Sequence, residues 1–413
     1  MNSITNICSR RIGYKIFSPS TALLINKNNM STTNKQLIPL DILRKLPKVE
    51  LHTHLDGAVR PETLLELVEQ DNVVLPGCSK GKLPKLEEIR EILRPTTGVA
   101  SLVEFLRAYE YLLAVLQNTH AIKRVTREMA EDYGKEGVTY LEIRFCPALH
   151  EMKGSTAEEI LSTVCEETRS ICEESRNGNK NLPIVKVIVC GVRSLPIETN
   201  KRMAELAVKF SKEEASKYDE KDCQIVGFDL AGDEAGFETK LFKDCFDYVK
   251  NNSNLGITIH SGEASGWESV KQALDIGYAT RIGHGVRLIE NKELLESIGK
   301  NVDNPISIEI CIVSNVLTKA IDSIKEHPVR TFLSAGEGIR VVPCTDGPVS
   351  LIGKSISEHY DILQKDFGLN TKEILKLLNN GFKSTFAPDS VINPLFEHAQ
   401  SQYEILLKPY ETN

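Results

Sequence analysis

The chain has 413 residues, 41% hydrophobic and 26% charged, with 50 Lys and Arg against 57 Asp and Glu for a net charge of −7. This composition fits one large α/β barrel or two medium globular domains. It excludes a nucleic-acid binder, because nothing concentrates the positive charge that a phosphate backbone demands, so a small-molecule partner is expected. The longest apolar run, residues 184–192 with Lys186 inside it, is far short of the ~20 residues that span a bilayer. Ten Cys occur without a CxxC pair and read as reduced thiols of an intracellular protein.

Residues 1–40 stand apart. They carry five Lys and Arg and no acid, with Met30 as a second possible start, and without them the chain has 45 bases against 57 acids, a net of −12. A basic, acid-free leader has the make-up of a mitochondrial transit peptide and lacks the apolar core of a secretion signal. A disordered polar tail is the simpler reading, which makes the protein cytoplasmic, with mitochondrial import as the lesser alternative. Residues 41–413 are expected to form one catalytic domain.

Pro47 breaks the chain ahead of a first strand carrying Val49-Glu50-Leu51-His52-Thr53-His54. Alternation along a strand turns His52 and His54 to one side, and Gly57 lets the chain turn just beyond, leaving Asp56 at the mouth of the same pocket. Pro61 opens a helix over residues 62–69. A helical pattern then runs to about Gly137, with one apolar stripe from Leu102 to Leu116 and a second, Ile122 to Tyr133, behind a Thr119 cap. This predicts a helical insertion after strand one.

Further strands are predicted near residues 139–145, 184–190, 225–230, 257–260, 279–283, 306–311 and 340–344, separated by segments long enough for helices. Eight alternating units without internal repeats predict an α/β fold, a closed TIM (β/α)8 barrel, and the GxGxxG of a dinucleotide fold is absent. The chemistry falls where the apolar runs end. His260 closes Ile-Thr-Ile-His and precedes Ser261-Gly262-Glu263, His284 closes Arg-Ile-Gly-His, and Asp346 closes Val-Val-Pro-Cys-Thr-Asp. Each alone reads as a core histidine or a helix cap. In a barrel all such ends gather around one pocket.

Three imidazoles and a carboxylate suit one zinc ion with a position left for water, which the ion would acidify toward a pKa of ~7. His52, His54, His260 and Asp346 are the assigned ligands, and Glu263 and His284 stay free for proton transfer. The H-x-E and P-C-x-x-C signatures of the cytidine-type zinc deaminases do not occur.

With these residues in view, the chain resembles the adenosine deaminases of the metal-dependent hydrolase superfamily from about Pro47 to the C-terminal region. The resemblance is carried by residues 47–57, by Asp229-Leu230-Ala231-Gly232-Asp233-Glu234, by His260-Ser261-Gly262-Glu263, by Arg281-Ile282-Gly283-His284-Gly285, by Ser314-Asn315 and by Thr345-Asp346 with Pro348. It implies hydrolytic deamination of adenosine or deoxyadenosine to inosine or deoxyinosine plus ammonia, a role in purine salvage, with one zinc ion per chain. Glu263 would protonate purine N1, His284 would orient the attacking water and accept its proton, and Asp346 would aim it. Asp56 would hold the ribose 5′-hydroxyl, His54 would face substrate as well as metal, and the Gly232 backbone N–H would meet purine N3. A monomer is compatible with this.

One departure bears on substrate. Relatives read Thr-Asp-Asp-Pro where this chain has Thr345-Asp346-Gly347-Pro348, and the family's second carboxylate hydrogen-bonds purine N7. Losing such a bond costs ~1.5–3 kcal/mol unless a neighbour or water replaces it. A deaminase of modified purine nucleotides therefore stays open, although Asp56 opposes a 5′-phosphate by charge. An adenine deaminase is disfavoured, since those relatives carry Glu-Gly in place of Asp56-Gly57. From another class, the alternative is a weakly active nucleoside-binding protein.

Overall fold

A computed structural model describes residues 37–79, 84–94 and 101–410. The leader expected over residues 1–40 lies outside the described residues except for its last four. Two of those already belong to the body: Ile38 is buried and exchanges backbone hydrogen bonds with the Gln364 amide, 2.9 and 2.7 Å, and a helix begins at Leu40.

Eight parallel strands pair in sequence order: β1 Lys48–His54, β2 Val138–Phe145, β3 Ile184–Val192, β4 Ile225–Ala231, β5 Gly256–Ser261, β6 Arg281–His284, β7 Ile306–Ile310 and β8 Ile339–Pro343. Past the end of β8 the chain returns to β1 through a parallel bridge between Thr53 and Asp346. Asp346 N–H donates to the His52 carbonyl at 2.8 Å, and His54 N–H to the Asp346 carbonyl at 3.3 Å. The predicted strands all fall within two residues of these bounds. They read as long apolar runs because helices cover the outside of the barrel, and β3 is buried at every residue but its last.

Helical signals act locally as physics requires. Pro61 occupies the first turn of Pro61–Gln70, where its missing N–H costs no hydrogen bond. The Thr156 hydroxyl accepts from Glu159 N–H while the Glu159 carboxylate accepts from Thr156 N–H, opening Ala157–Arg176. The expected Thr119 cap is displaced by one residue: Asn118 caps Thr119–Lys135, its side chain accepting from Ala121 N–H at 3.0 Å. Asn is a strong cap, and Thr119 becomes the first helical residue. Between β1 and β2 the described residues also form helices Leu86–Leu93, Leu102–Phe105 and Arg107–Val115. Among the described residues no helix is long and apolar enough to cross a membrane.

The barrel interior is charged. Every second residue points inward, and β1, β2, β4, β6 and β7 place Glu50, Glu142, Arg144, Asp229, Arg281 and Glu309 there, each at most 1% exposed. Arg144 donates to Asp229 (2.9 Å) and Glu309 (3.0 Å), and Arg281 to Glu309 and Glu142, both 2.6 Å. Burying so many charges is tolerable because the arginines pair with Glu142, Asp229 and Glu309, while Glu50, pushed up to about 7 by burial, accepts from the His52 and Thr345 N–H groups and the Thr345 hydroxyl. The network is a rigid polar floor beneath the pocket at the strands' C-terminal ends.

Candidate active site

β1 delivers His52 and His54, β5 delivers His260, and the turn after β8 delivers Asp346. One donor atom from each lies within 4.8 Å of the others. His54 Nε2 is 3.0 Å from His260 Nε2, and Asp346 Oδ1 is 3.2 and 3.4 Å from the Nε2 atoms of His52 and His54.

The floor sets the tautomers. His52 Nδ1 lies 2.6 Å from Glu309 Oε2 and His260 Nδ1 3.0 Å from Asp229 Oδ2. Carboxylates accept, so both Nδ1 atoms carry hydrogen and the Nε2 lone pairs turn toward the cluster. Burial and the neighbouring imidazoles and Arg144 hold His54 well below its ordinary pKa, and burial, despite Asp229, also lowers His260. His52 is raised against burial and Arg144 by the flanking Asp346 and Glu309 carboxylates. The buried His52 Nε2 has no hydrogen-bond partner. Converging lone pairs beside a carboxylate make a place that calls for a cation, and three imidazole nitrogens with one carboxylate oxygen match a divalent metal with one position to spare.

Backbone strain marks the same ends. Among the described non-glycine residues only five have positive φ, and two are His284 (65°) and Asp346 (69°). Such conformations cost ~1–3 kcal/mol and persist where the surroundings enforce them. Asp346 is held by the Ser314 hydroxyl, which donates to Oδ2 at 2.5 Å. Gly283 is a packing requirement, since a Cβ there would stand 2.8 Å from His52 Cε1.

Glu263 lies beside the cluster, 7% exposed. Its Oε1 accepts from the Thr318 hydroxyl at 2.8 Å, and its Oε2 is 3.6 Å from His284 Nε2. Burial, reinforced by the charge of Asp346, pushes the carboxyl up to about 8. The loop carrying it is pinned by Glu234, whose carboxylate accepts from the backbone N–H groups of Gly262, Glu263 and Ala264 at 2.9, 2.8 and 3.1 Å.

Burial holds the fully enclosed His284 well below the usual imidazole range. The Asn315 amide donates to Nδ1 at 3.0 Å, and Asn315 Oδ1 in turn accepts from His327 Nε2 at 3.2 Å. His284 Nε2 faces the Glu263 carboxyl, 3.6 Å from Oε2.

Asp56 is buried, and its Oδ1 is taken by His150 Nε2 at 2.6 Å. Gly232 follows β4 with φ +92°, a left-handed turn at the pocket edge that glycine adopts without strain.

His52, His54, His260, Asp346, Glu263 and His284 thus come together, and Asp56 and Gly232 follow the ends of β1 and β4. The sequence reading missed Glu309, Arg144, His150, Thr318 and the role of Glu234. Charged residues at alternate positions of otherwise apolar strands, as in Ile306-Ser307-Ile308-Glu309-Ile310, were the available signal for the first two. His150 and Thr318 carry no such mark.

A parallel eight-stranded barrel with this donor set at its strand ends, and a neutral carboxyl beside it, defines a metal-dependent hydrolase. Residues 47–401 match the family model for adenosine deaminase. Similar proteins include a probable adenosine deaminase of Dictyostelium discoideum, 37% identical over 92% of this chain and 45% of its own length. An adenosine deaminase of Clostridium acetobutylicum is 32% identical over 83% of this chain and 94% of its own. Among solved structures, the apo N6-methyl-AMP deaminase of Arabidopsis thaliana is 27% identical over 88% of this chain and 98% of its own, with a TM-score of 0.71. The chain belongs to the adenosine deaminase family.

Proposed function

We propose that this enzyme hydrolyses adenosine and 2′-deoxyadenosine to inosine and 2′-deoxyinosine, releasing ammonia, with one zinc ion held by His52, His54, His260 and Asp346. When bound, the zinc supplies Lewis-acid activation of water at neutral pH. The rest is done by side chains. Glu263, whose carboxyl burial pushes up to about 8, donates its proton to purine N1 and so withdraws electrons from C6. His284, held by Asn315, orients the attacking water and accepts the proton it loses, passing it to the departing amine so that ammonia leaves. The hydroxyl proton left on the C6 oxygen returns to Glu263 as the carbonyl forms. Asp56 Oδ2 accepts from the ribose 5′-hydroxyl, and the Gly232 N–H donates to N3. The buried floor excludes bulk water, which strengthens each of these hydrogen bonds.

The observation that carries this reading is the placement of a buried carboxyl with a pKa of about 8 beside the four-donor cluster. Such a pair matches a reaction needing a proton donor and an activated water on one aromatic ring. A nucleoside fits better than a nucleotide, because Asp56 would oppose a 5′-phosphate. The test is to mix purified protein with adenosine, follow the ultraviolet shift to inosine, and measure zinc in parallel. Turnover with one zinc per chain is the expected result. Zinc without turnover of adenosine, deoxyadenosine or adenine would point to the nucleoside-binding alternative.

A further inference from the structure

Gly347 leaves an acceptor of the purine ring without the carboxylate partner that the family resemblance implies, and one methyl, Leu351 Cδ2, borders both Gly347 and Gly57, beside which the Tyr109 hydroxyl stands. A Cβ on Gly347 would stand 3.3 Å from Ile352 Cγ1 and 3.6 Å from Leu351 Cδ2, so aliphatic groups wall the position. The same Leu351 methyl lies 3.3 Å from where a Cβ on Gly57 would be, and the phenolic oxygen of Tyr109 lies 3.1 Å from that point. Tyr109 rides on the helix Arg107–Val115, with its ring 6.4 Å from that of Phe105 between centroids. It is half-buried.

Among the described residues the Tyr109 hydroxyl has no hydrogen-bond partner, and it is not sealed from solvent. Burial, then the charges of Asp346, Asp56 and Glu263 in that order, hold it well above the usual phenol range. The hydroxyl is therefore a neutral donor, placed beside the turn that carries Asp56 and Gly57. Purine N7 is an acceptor. A phenol donates to it without first having to take up a proton, as a carboxylate must.

We propose that Tyr109 donates a hydrogen bond to N7 of the purine ring, filling the role vacated at Gly347 and acting as a specificity residue. This rests on the reading of the site as a purine nucleoside pocket. The removal of one oxygen in Tyr109→Phe leaves the packing of the ring unchanged, and a thermal melt checks that the variant is folded.

The experiment compares dissociation constants of purine riboside and 7-deazapurine riboside on zinc-loaded protein, neither ligand having an amino group to lose. The wild-type protein should prefer purine riboside by roughly tenfold. Tyr109→Phe should shrink that preference to about twofold or less, by weakening purine riboside alone. A preference that survives in Tyr109→Phe, an equal weakening of both ligands, or no preference in the wild type overturns the proposal. If the wild type binds neither riboside and does not turn over adenosine, the nucleoside reading itself fails and takes this proposal with it.

Discussion

His150 Nε2 lies 2.6 Å from Asp56 Oδ1, and His150 Nδ1 lies 2.6 Å from the Leu116 carbonyl oxygen. One fully buried imidazole thus ties together the turn after β1, the short 3-10 helix Pro147–His150 after β2 and the end of the helix Arg107–Val115. It engages one oxygen of the Asp56 carboxylate and leaves Oδ2 as the oxygen available to a ligand.

In the proposed pocket Asp56 meets the ribose only if it is held in this orientation, so His150→Leu should raise KM for adenosine roughly tenfold or more while kcat stays within about twofold, the loss of a hydrogen bond to a charged group being worth ~1.5–3 kcal/mol. The same variant should leave 5′-deoxyadenosine unchanged, because that substrate lacks the hydroxyl. Steady-state kinetics on both substrates check this, and an equal effect on the two would show that His150 acts only on stability.

Ligand and proton donor should separate cleanly by mutation. His260→Ala is expected to lose the metal, whereas Glu263→Gln should keep one zinc per chain and lose turnover by ~10²–10⁴-fold. Metal analysis of the purified variants beside their rates decides it, and near-normal zinc and rate in both would refute the assignment.

In the proposed reaction the Glu263 carboxyl works in its protonated form, so kcat should fall as pH rises through a limb at or below about 8. Bound zinc offsets the charge of Asp346 and draws that limb downward. In the metal-free protein the raised pKa also couples to folding: the folded state binds the extra proton between the ordinary carboxylate range and about 8. This contribution to stability is complete below the unfolded pKa and is lost as pH rises through about 8. Denaturant melts of apoprotein from pH 5 to 9 should fall with pH more steeply than those of Glu263→Gln. Parallel slopes would place the proton elsewhere.

Glu309 serves both floor and site, since it accepts from His52, Arg144 and Arg281. Glu309→Gln should lower unfolding stability by ~3–5 kcal/mol, as expected when one partner leaves a buried charge network. It should weaken zinc affinity about 10–100-fold by loosening the His52 ring. Calorimetry and a competitive chelator titration measure the two effects, and unchanged zinc affinity would show that His52 needs no support from below.

How much of this was legible in sequence follows from which interactions are local. Strand ends and helix starts are set by residues within a few positions of one another, such as Pro61 or the Thr156 and Glu159 pair, and these could be read directly. The misplaced cap at Thr119 was a one-residue error between two adjacent capping types, for which Asn118 had the better geometry. The carboxylates behind the histidines could not be paired, because Glu309 and His52 are 257 positions apart.

By itself the sequence determined that eight strands alternate with helices and that His52, His54, His260, Glu263, His284 and Asp346 fall at or just past strand ends, since backbone periodicity and turn chemistry are written in neighbouring residues. Only closure of the barrel decided which nitrogen of each imidazole faces the cluster, how burial raises the Glu263 carboxyl, and that His150 and Tyr109 reach the pocket from separate segments. Orientation and pKa depend on the dielectric and the charges packed around a group, and those neighbours are assembled from the whole length of the chain.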